Sequence, residues 1–103
     1  MWFCGSGNTC CLEIHPVRTL FSNGFLLYDI QGNVSEWVQD LYHADYIGAP
    51  TDGNAWETDG TSERVLRGGN WGTTARNCRS AARGSGDPMT ADDKVGFRIV
   101  WMP

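Results

Sequence analysis

The sequence predicts a small α+β or mostly β domain, made of short antiparallel strands joined by long loops, and three observations carry that expectation. Thirteen glycines and five tryptophans in 103 residues pair frequent breaks in regular structure with a few large side chains that each bring much buriable area. No stretch repeats apolar residues at helical spacing for long enough to form an extended amphipathic helix. The run Val95-Gly96-Phe97-Arg98-Ile99-Val100-Trp101 sets Val95, Phe97, Ile99 and Trp101 on one face of a strand. A chain of this length suits one domain, residues 1–103, and is too short for two.

The elements follow in order. Residues 1–21 read as an irregular arm with a short strand near Val17, because Gly, Ser, Asn, Thr and Cys mix there without period. Residues 22–33 begin and end in turn residues around an apolar centre, which predicts one short helical turn closing into a tight Gly32-Asn33 bend. A strand is expected from Ser35 to about Leu41, although its faces do not separate cleanly into apolar and polar. Residues 42–63, rich in Asp, Gly, Thr and Pro, form a long surface loop pinned by Tyr46 and Trp56. Arg64-Val65-Leu66-Arg67 reads as a strand stopped by Gly68-Gly69. A polar turn over residues 72–76 leads to a further strand from Asn77 to Arg83, then a second loop over residues 84–94 and the final strand.

Composition narrows the function classes. Hydrophobic residues at 41% and charged residues at 19% describe a folding chain. A net charge of −4 lacks the basic footprint that a phosphate backbone or anionic membrane requires, so neither nucleic acid nor membrane is an expected partner. No apolar run reaches membrane-spanning length, and Met1-Trp2-Phe3-Cys4-Gly5 does not read as a signal peptide; the compartment stays open. Cys4, Cys10, Cys11 and Cys78 match no zinc spacing, and both a structural disulfide and free thiols remain open. His15 and His43 lie far apart in the chain and read as loop residues rather than a metal pair. Serine-hydrolase, P-loop and zinc-protease motifs find no match.

Taken together, Asn23-Gly24-Phe25, Leu27-Tyr28-Asp29-Ile30, Gly32-Asn33-Val34, Glu36-Trp37-Val38-Gln39-Asp40, Arg64-Val65-Leu66-Arg67-Gly68-Gly69-Asn70-Trp71, Asn77-Cys78-Arg79-Ser80-Ala81 and Gly96-Phe97-Arg98 resemble the formylglycine-generating enzyme family, the sulfatase-modifying factors. The resemblance runs from about Trp2 to Val100 and matches the C-terminal part of that family's domain. It implies a variant of the C-type-lectin-like fold, N-terminally truncated, whose uncovered sheet edge points to a homodimer.

The resemblance also implies sites. Its matching stretch binds calcium through side chains at Asp29 and Glu36 and carbonyls at Gly32 and Val34, an oxygen set of the kind that cation takes. Against it stands a turn-capping Asp29 and a Glu36 paired with an arginine such as Arg67 or Arg83. Two family positions differ: Leu26, where glycine is usual, and Ser35, where an aromatic is usual. The family's copper-holding cysteine pair falls within residues 69–83, where this chain has Cys78 alone, so Cys78 reads as a small core residue and formylglycine generation is not expected. Arg67, Arg83 and Arg98 read as structural arginines with Asp29, Glu36 and Asp40 as candidate partners. The related variable proteins display ligands on loops, which marks Trp71, Thr73, Thr74, Arg76 and Asn77 as a binding face for an unidentified small molecule or protein. The expected function is a non-catalytic ligand-binding or assembly module, with calcium as the candidate ion; the alternative is a fragment or subunit of an oxidoreductase completed by another chain.

Overall fold

A computed structural model describes residues 13–103. Four strands form one mixed sheet: β1 (Ser35–Leu41), β2 (Arg64–Arg67), β3 (Gly84–Gly86) and β4 (Val95–Gly96), in the order β3-β2-β1-β4. β1 pairs antiparallel with β2, β2 antiparallel with β3, and β1 parallel with β4. The one helical element among the described residues is a single 3-10 turn, Ala75–Cys78. This is the short-stranded, loop-rich architecture that the glycine and tryptophan counts predicted, except that β1 and β4 pair parallel where antiparallel strands were expected.

β1 and β2 lie where the sequence placed them. The β1–β2 register shifts between Trp37 and Leu41, and a bulge of this kind explains why β1 does not alternate cleanly. β2 ends because Gly68 and Gly69 both adopt positive φ, +88° and +69°, which turns the chain out of the sheet. The Gly32-Asn33 bend is also as expected, with φ of +84° and +64°.

Four expectations are corrected. The strand near Val17 is a turn, and the helical turn before Gly32 is a loop closed by Asn23, whose Oδ1 accepts from the backbone N–H groups of Phe25 and Leu27 at 2.9 and 3.0 Å. The strand expected over Asn77–Arg83 is the 3-10 turn followed by a bend, and pairing with β2 falls to Gly84–Gly86 instead. Ladder geometry outweighed the β-propensity of the earlier segment, since glycine at 86 lets Trp37 approach within 3.0 Å of where a Cβ would sit. The final strand is only two residues long in the sheet, Val95–Gly96. Beyond Gly96 the chain leaves β1, and among the described residues no strand lies on its outer side.

The core is small. Val65 and Cys78 are the apolar residues that are fully buried among those described, alongside the polar Asn33 and Ser35. Asn33 holds the arm down by accepting from the His15 N–H at 2.9 Å and donating to the His15 carbonyl at 3.1 Å. Ser35 accepts from Asn70 Nδ2 at 3.1 Å, so this buried position is a hydrogen-bond acceptor.

Candidate functional site

Asp29, Gly32, Val34 and Glu36 are brought together. They line one cavity of about 330 Å³ with Arg18, Asn33 and Arg98 and apolar walls that include Leu26 and Phe97. Strained backbone surrounds it: Arg18, Leu26, Asp29 and Asn33 all have φ between +51° and +65°, a region that costs residues with a Cβ about 1–2 kcal/mol each. Glu36 projects from β1 and is chelated by Arg98, with Nε donating at 2.9 Å and Nη2 at 2.7 Å. Arg98 Nη2 also donates to the Tyr28 carbonyl at 2.8 Å. The paired geometry, led by the hydrogen bonds to Glu36, raises the Arg98 pKa and outweighs the opposing effect of partial burial. Asp29 Oδ2 accepts from the Arg18 N–H at 2.8 Å, and the Arg18 guanidinium lies 4.7 Å from the Tyr28 ring centre.

Tested against calcium, the oxygens are of the right kind and the charge is already balanced. Two carboxylates face two guanidinium groups around this cavity. A divalent ion drawing on Glu36 therefore competes with Arg98 for it. Among the described residues no three His, Cys, Asp or Glu side chains converge, so any metal here leans on backbone carbonyls.

Of the three arginines weighed against Asp29, Glu36 and Asp40, Arg98 is the one that pairs with Glu36, and Arg67 and Arg83, the two named as its examples, do not. Arg67 lies across from Glu36 in the β1–β2 register, yet its guanidinium donates to the Ser80 and Ala82 carbonyls and the Tyr46 hydroxyl, each at 3.2 Å. Arg83 donates to the carbonyls of His43 and Ala44 and lies over the Tyr42 and Tyr46 rings. Asp40 accepts from the Trp56 N–H at 2.7 Å rather than from an arginine. The available signal was the parallel register of Glu36 with Gly96, two residues before Arg98, which sequence alone does not supply.

The second group of candidates is divided. Thr73 is committed to the fold: its Oγ1 donates to the Asn70 carbonyl at 2.9 Å, accepts from the Asn70 N–H at 3.0 Å, and lies 3.4 Å from Cys78 Sγ. Thr74, Arg76 and Asn77 are exposed. Trp71 is half-buried, with Lys94 Nζ 5.0 Å from its ring centre and its indole Nε1 buried without a hydrogen-bond partner among the described residues. Cys78 is wholly buried, packed so closely that a Cβ at Gly69 would meet its Sγ at 2.6 Å. Cys4, Cys10 and Cys11 lie outside the described residues. No helix among the described residues is long and apolar enough to cross a membrane.

Comparison with known proteins accounts for this arrangement. Residues 6–103 match the family model described as the sulfatase-modifying factor enzyme 1-like domain. The chain is 34% identical over 88 residues to the serine/threonine-protein kinase pkn1 of Chlamydia caviae, covering 82% of this chain and 14% of that protein. It is 32% identical over 92 residues to the formylglycine-generating enzyme of Streptomyces coelicolor, covering 86% and 29%. Identity is also 32%, over 83 residues, to the inactive C-alpha-formylglycine-generating enzyme 2 of Mus musculus, covering 76% and 22%. Among solved structures, PvdO from Pseudomonas aeruginosa superposes with a TM-score of 0.77 at 39% identity, covering 82% of this chain and 33% of that one. The chain thus spans a third or less of the relatives it matches. With residues 6–103 matched by the family model and PvdO superposing over 82% of the chain, the chain belongs to the sulfatase-modifying factor family and carries its C-type-lectin-like fold.

Proposed function

We propose that this chain is a non-catalytic binding or assembly module of the sulfatase-modifying factor family. The observation that carries the reading is Cys78. Its sulfur has no exposed surface and is enclosed by Thr73 and Gly69, whereas a thiolate that holds copper(I) or reacts needs an approachable, electropositive setting. An inactive relative in the same family is in keeping with it. Assembly is favoured by the balance of surface: two fully buried apolar residues stand against fifteen large exposed ones among those described, so cover from another polypeptide, a second copy in this proposal, supplies burial that the chain lacks. The polar, exposed Thr74, Arg76 and Asn77 beside Trp71 offer the face for a small-molecule or protein ligand.

The Asp29–Glu36 stretch is the module's calcium site in this proposal, with the ion and the Arg98 guanidinium as alternative partners for Glu36. A melt in millimolar calcium against chelator is expected to show an upward shift that Asp29→Ala abolishes and Arg98→Met enlarges, since a ligand held by the native state raises the midpoint by mass action. An unchanged midpoint in both wild type and Arg98→Met rejects the ion. For the non-catalytic reading, a copper-dependent oxygen-consumption assay with a thiol substrate is expected to show no turnover. Turnover abolished by Cys78→Ser would establish the alternative, an oxidoreductase subunit completed by another chain.

A further inference from the structure

One asparagine differs from the others in its neighbour and in its bonds. Asn23 precedes a glycine, whereas Asn8, Asn33, Asn54, Asn70 and Asn77 each precede a residue with a side chain. Asn23 and Gly24 are both exposed. A Cβ at Gly24 would meet no atom beyond its chain neighbours within 4 Å, and the Gly24 N–H donates to no described residue. The Asn23 side chain is held by its oxygen alone. Oδ1 accepts from the Phe25 N–H at 2.9 Å and the Leu27 N–H at 3.0 Å, while Nδ2 donates to no described residue. An amide with a free nitrogen and a carbonyl oxygen between two backbone donors is arranged as an electrophile, because those donors face the atom on which charge develops when a nucleophile attacks Cγ.

We propose that Asn23 is a self-modification site, converted in the folded chain to aspartate and isoaspartate through attack by the Gly24 backbone nitrogen. The Gly24 N–H gives its proton to hydroxide, and the nitrogen forms a bond to Asn23 Cγ, an approach that a side chain at 24 would crowd. The Phe25 and Leu27 N–H groups hold the resulting oxyanion. Collapse breaks the Cγ–Nδ2 bond, Nδ2 leaves as ammonia with a proton from water, and a cyclic imide closes between residues 23 and 24. Water then opens the imide. Cleavage between Cγ and the Gly24 nitrogen gives aspartate; cleavage of the main-chain carbonyl bond gives isoaspartate, whose backbone runs through Cγ. The net change turns an amide and a water into a carboxylate and an ammonium ion, with nothing oxidised or reduced. Residues 23–27 and solvent supply every group, so the reaction needs no partner and does not depend on the non-catalytic or calcium readings.

The consequence falls on the candidate site. The Asn23 N–H donates to the Leu27 carbonyl at 2.9 Å and the Leu26 N–H to the Asn23 carbonyl at 3.0 Å, and this closed loop leads Leu26, Leu27 and Asp29 to the larger cavity. Isoaspartate lengthens the main chain by one carbon at residue 23, which misaligns both bonds. Leu26 at φ +61° and Asp29 at φ +51° then lose the closure that holds them in a costly conformation. Aspartate instead keeps an oxygen for both donors and places a second carboxylate on the cavity of about 150 Å³ that Asn23 shares with Asp29.

The test ages the whole 103-residue chain at mildly alkaline pH and follows every asparagine by peptide mass spectrometry. Isoaspartate is counted by labelled methyl transfer from an isoaspartyl methyltransferase. Asn23 is expected to convert at least about tenfold faster than any other asparagine, and Gly24→Ala to slow it at least about tenfold. Circular dichroism before ageing checks that this variant is folded. The isolated isoaspartate form is expected to melt at a lower midpoint and to be cut faster by protease over residues 22–31, while Asn23→Asp stays close to wild type. An Asn23 that stays intact while another asparagine converts overturns the site, as does an unchanged rate in Gly24→Ala. Conversion in urea but not in buffer overturns it as well, because the two donors would then guard the amide. An isoaspartate form as protected as wild type overturns the opening of the loop.

Discussion

At the scale of single residues, backbone conformation is the most consequential feature. Leu26 has φ +61° and a side chain 79% exposed, so it bears the left-handed cost without any packing return. The cost is about 1–2 kcal/mol for a residue with a Cβ, and glycine's extra unfolded freedom cancels up to about 1 kcal/mol of the relief. Leu26→Gly is therefore expected to stabilise the chain by up to about 1 kcal/mol, read as a higher midpoint in urea. Gly69 is the opposite case. Its φ is +69°, and a Cβ there would meet Cys78 Sγ at 2.6 Å and Thr73 Oγ1 at 2.9 Å. Gly69→Ala is expected to cost about 3 kcal/mol or more through strain and overpacking together, and a denaturation midpoint within error of wild type would refute this packing account. Arg98 keeps its charge across the accessible pH range, because Glu36 raises a pKa that is already high. The guanidinium side of the pair therefore adds no pH dependence near neutrality: its stabilising share is complete below the unfolded arginine pKa and is lost only above the folded one.

At the scale of elements, the long loop over residues 42–63 shows how a polar segment without regular structure is held. His43 stacks on Trp56 with ring centres 3.4 Å apart and planes 4° from parallel. The two His43 ring nitrogens lie 3.0 Å from the Leu41 carbonyl and 2.7 Å from the Thr58 carbonyl. Backbone bonds from Leu41 N–H to the Trp56 carbonyl and from Tyr42 N–H to the Glu63 carbonyl, 2.9 and 2.8 Å, close the loop onto the end of β1. Arg64 ties the same region to Glu57 at 2.9 Å and to the Gln39 carbonyl. That ion pair is half-exposed and adds little beyond geometry. Replacing His43 by alanine removes the stack and the ring's polar contacts. A loss of about 2–3 kcal/mol is expected from typical values for each, together with new protease cleavage between residues 44 and 60. Cleavage at the wild-type rate would mean that the backbone bonds alone hold the loop.

For the whole molecule, the question is burial. The described chain extends 41 × 30 × 24 Å around two fully buried apolar residues. A domain of this size is marginal even with a well-filled core. Exposed apolar residues concentrate at the cavity rim, at Val17, Leu26 and Phe97, and along the C-terminal run. The thermal midpoint is accordingly expected to rise with protein concentration, as it does for any assembly whose folded form is the associated one. A midpoint constant over a hundredfold dilution would mean that the chain is stable alone and that the exposed apolar face has another role.

The sequence by itself determined the class of fold, the two central strands, the tight bend at Gly32-Asn33 and the family. These rest on short-range chemistry: glycine where φ must be positive, apolar strand residues bounded by breakers, and motif phrases read in order. Asp29, Gly32, Val34 and Glu36, grouped by the family resemblance, line one cavity because they lie within eight residues of each other. Only the tertiary structure decided Glu36's partner, the separation of Thr73 from its exposed neighbours, the burial of Cys78, and the point where the last strand leaves the sheet. Each of these depends on a pairing between segments far apart in the chain. The parallel register of Glu36 with Gly96, sixty residues apart, is what delivers Arg98 to the carboxylate, and no local pattern encodes a register across that distance.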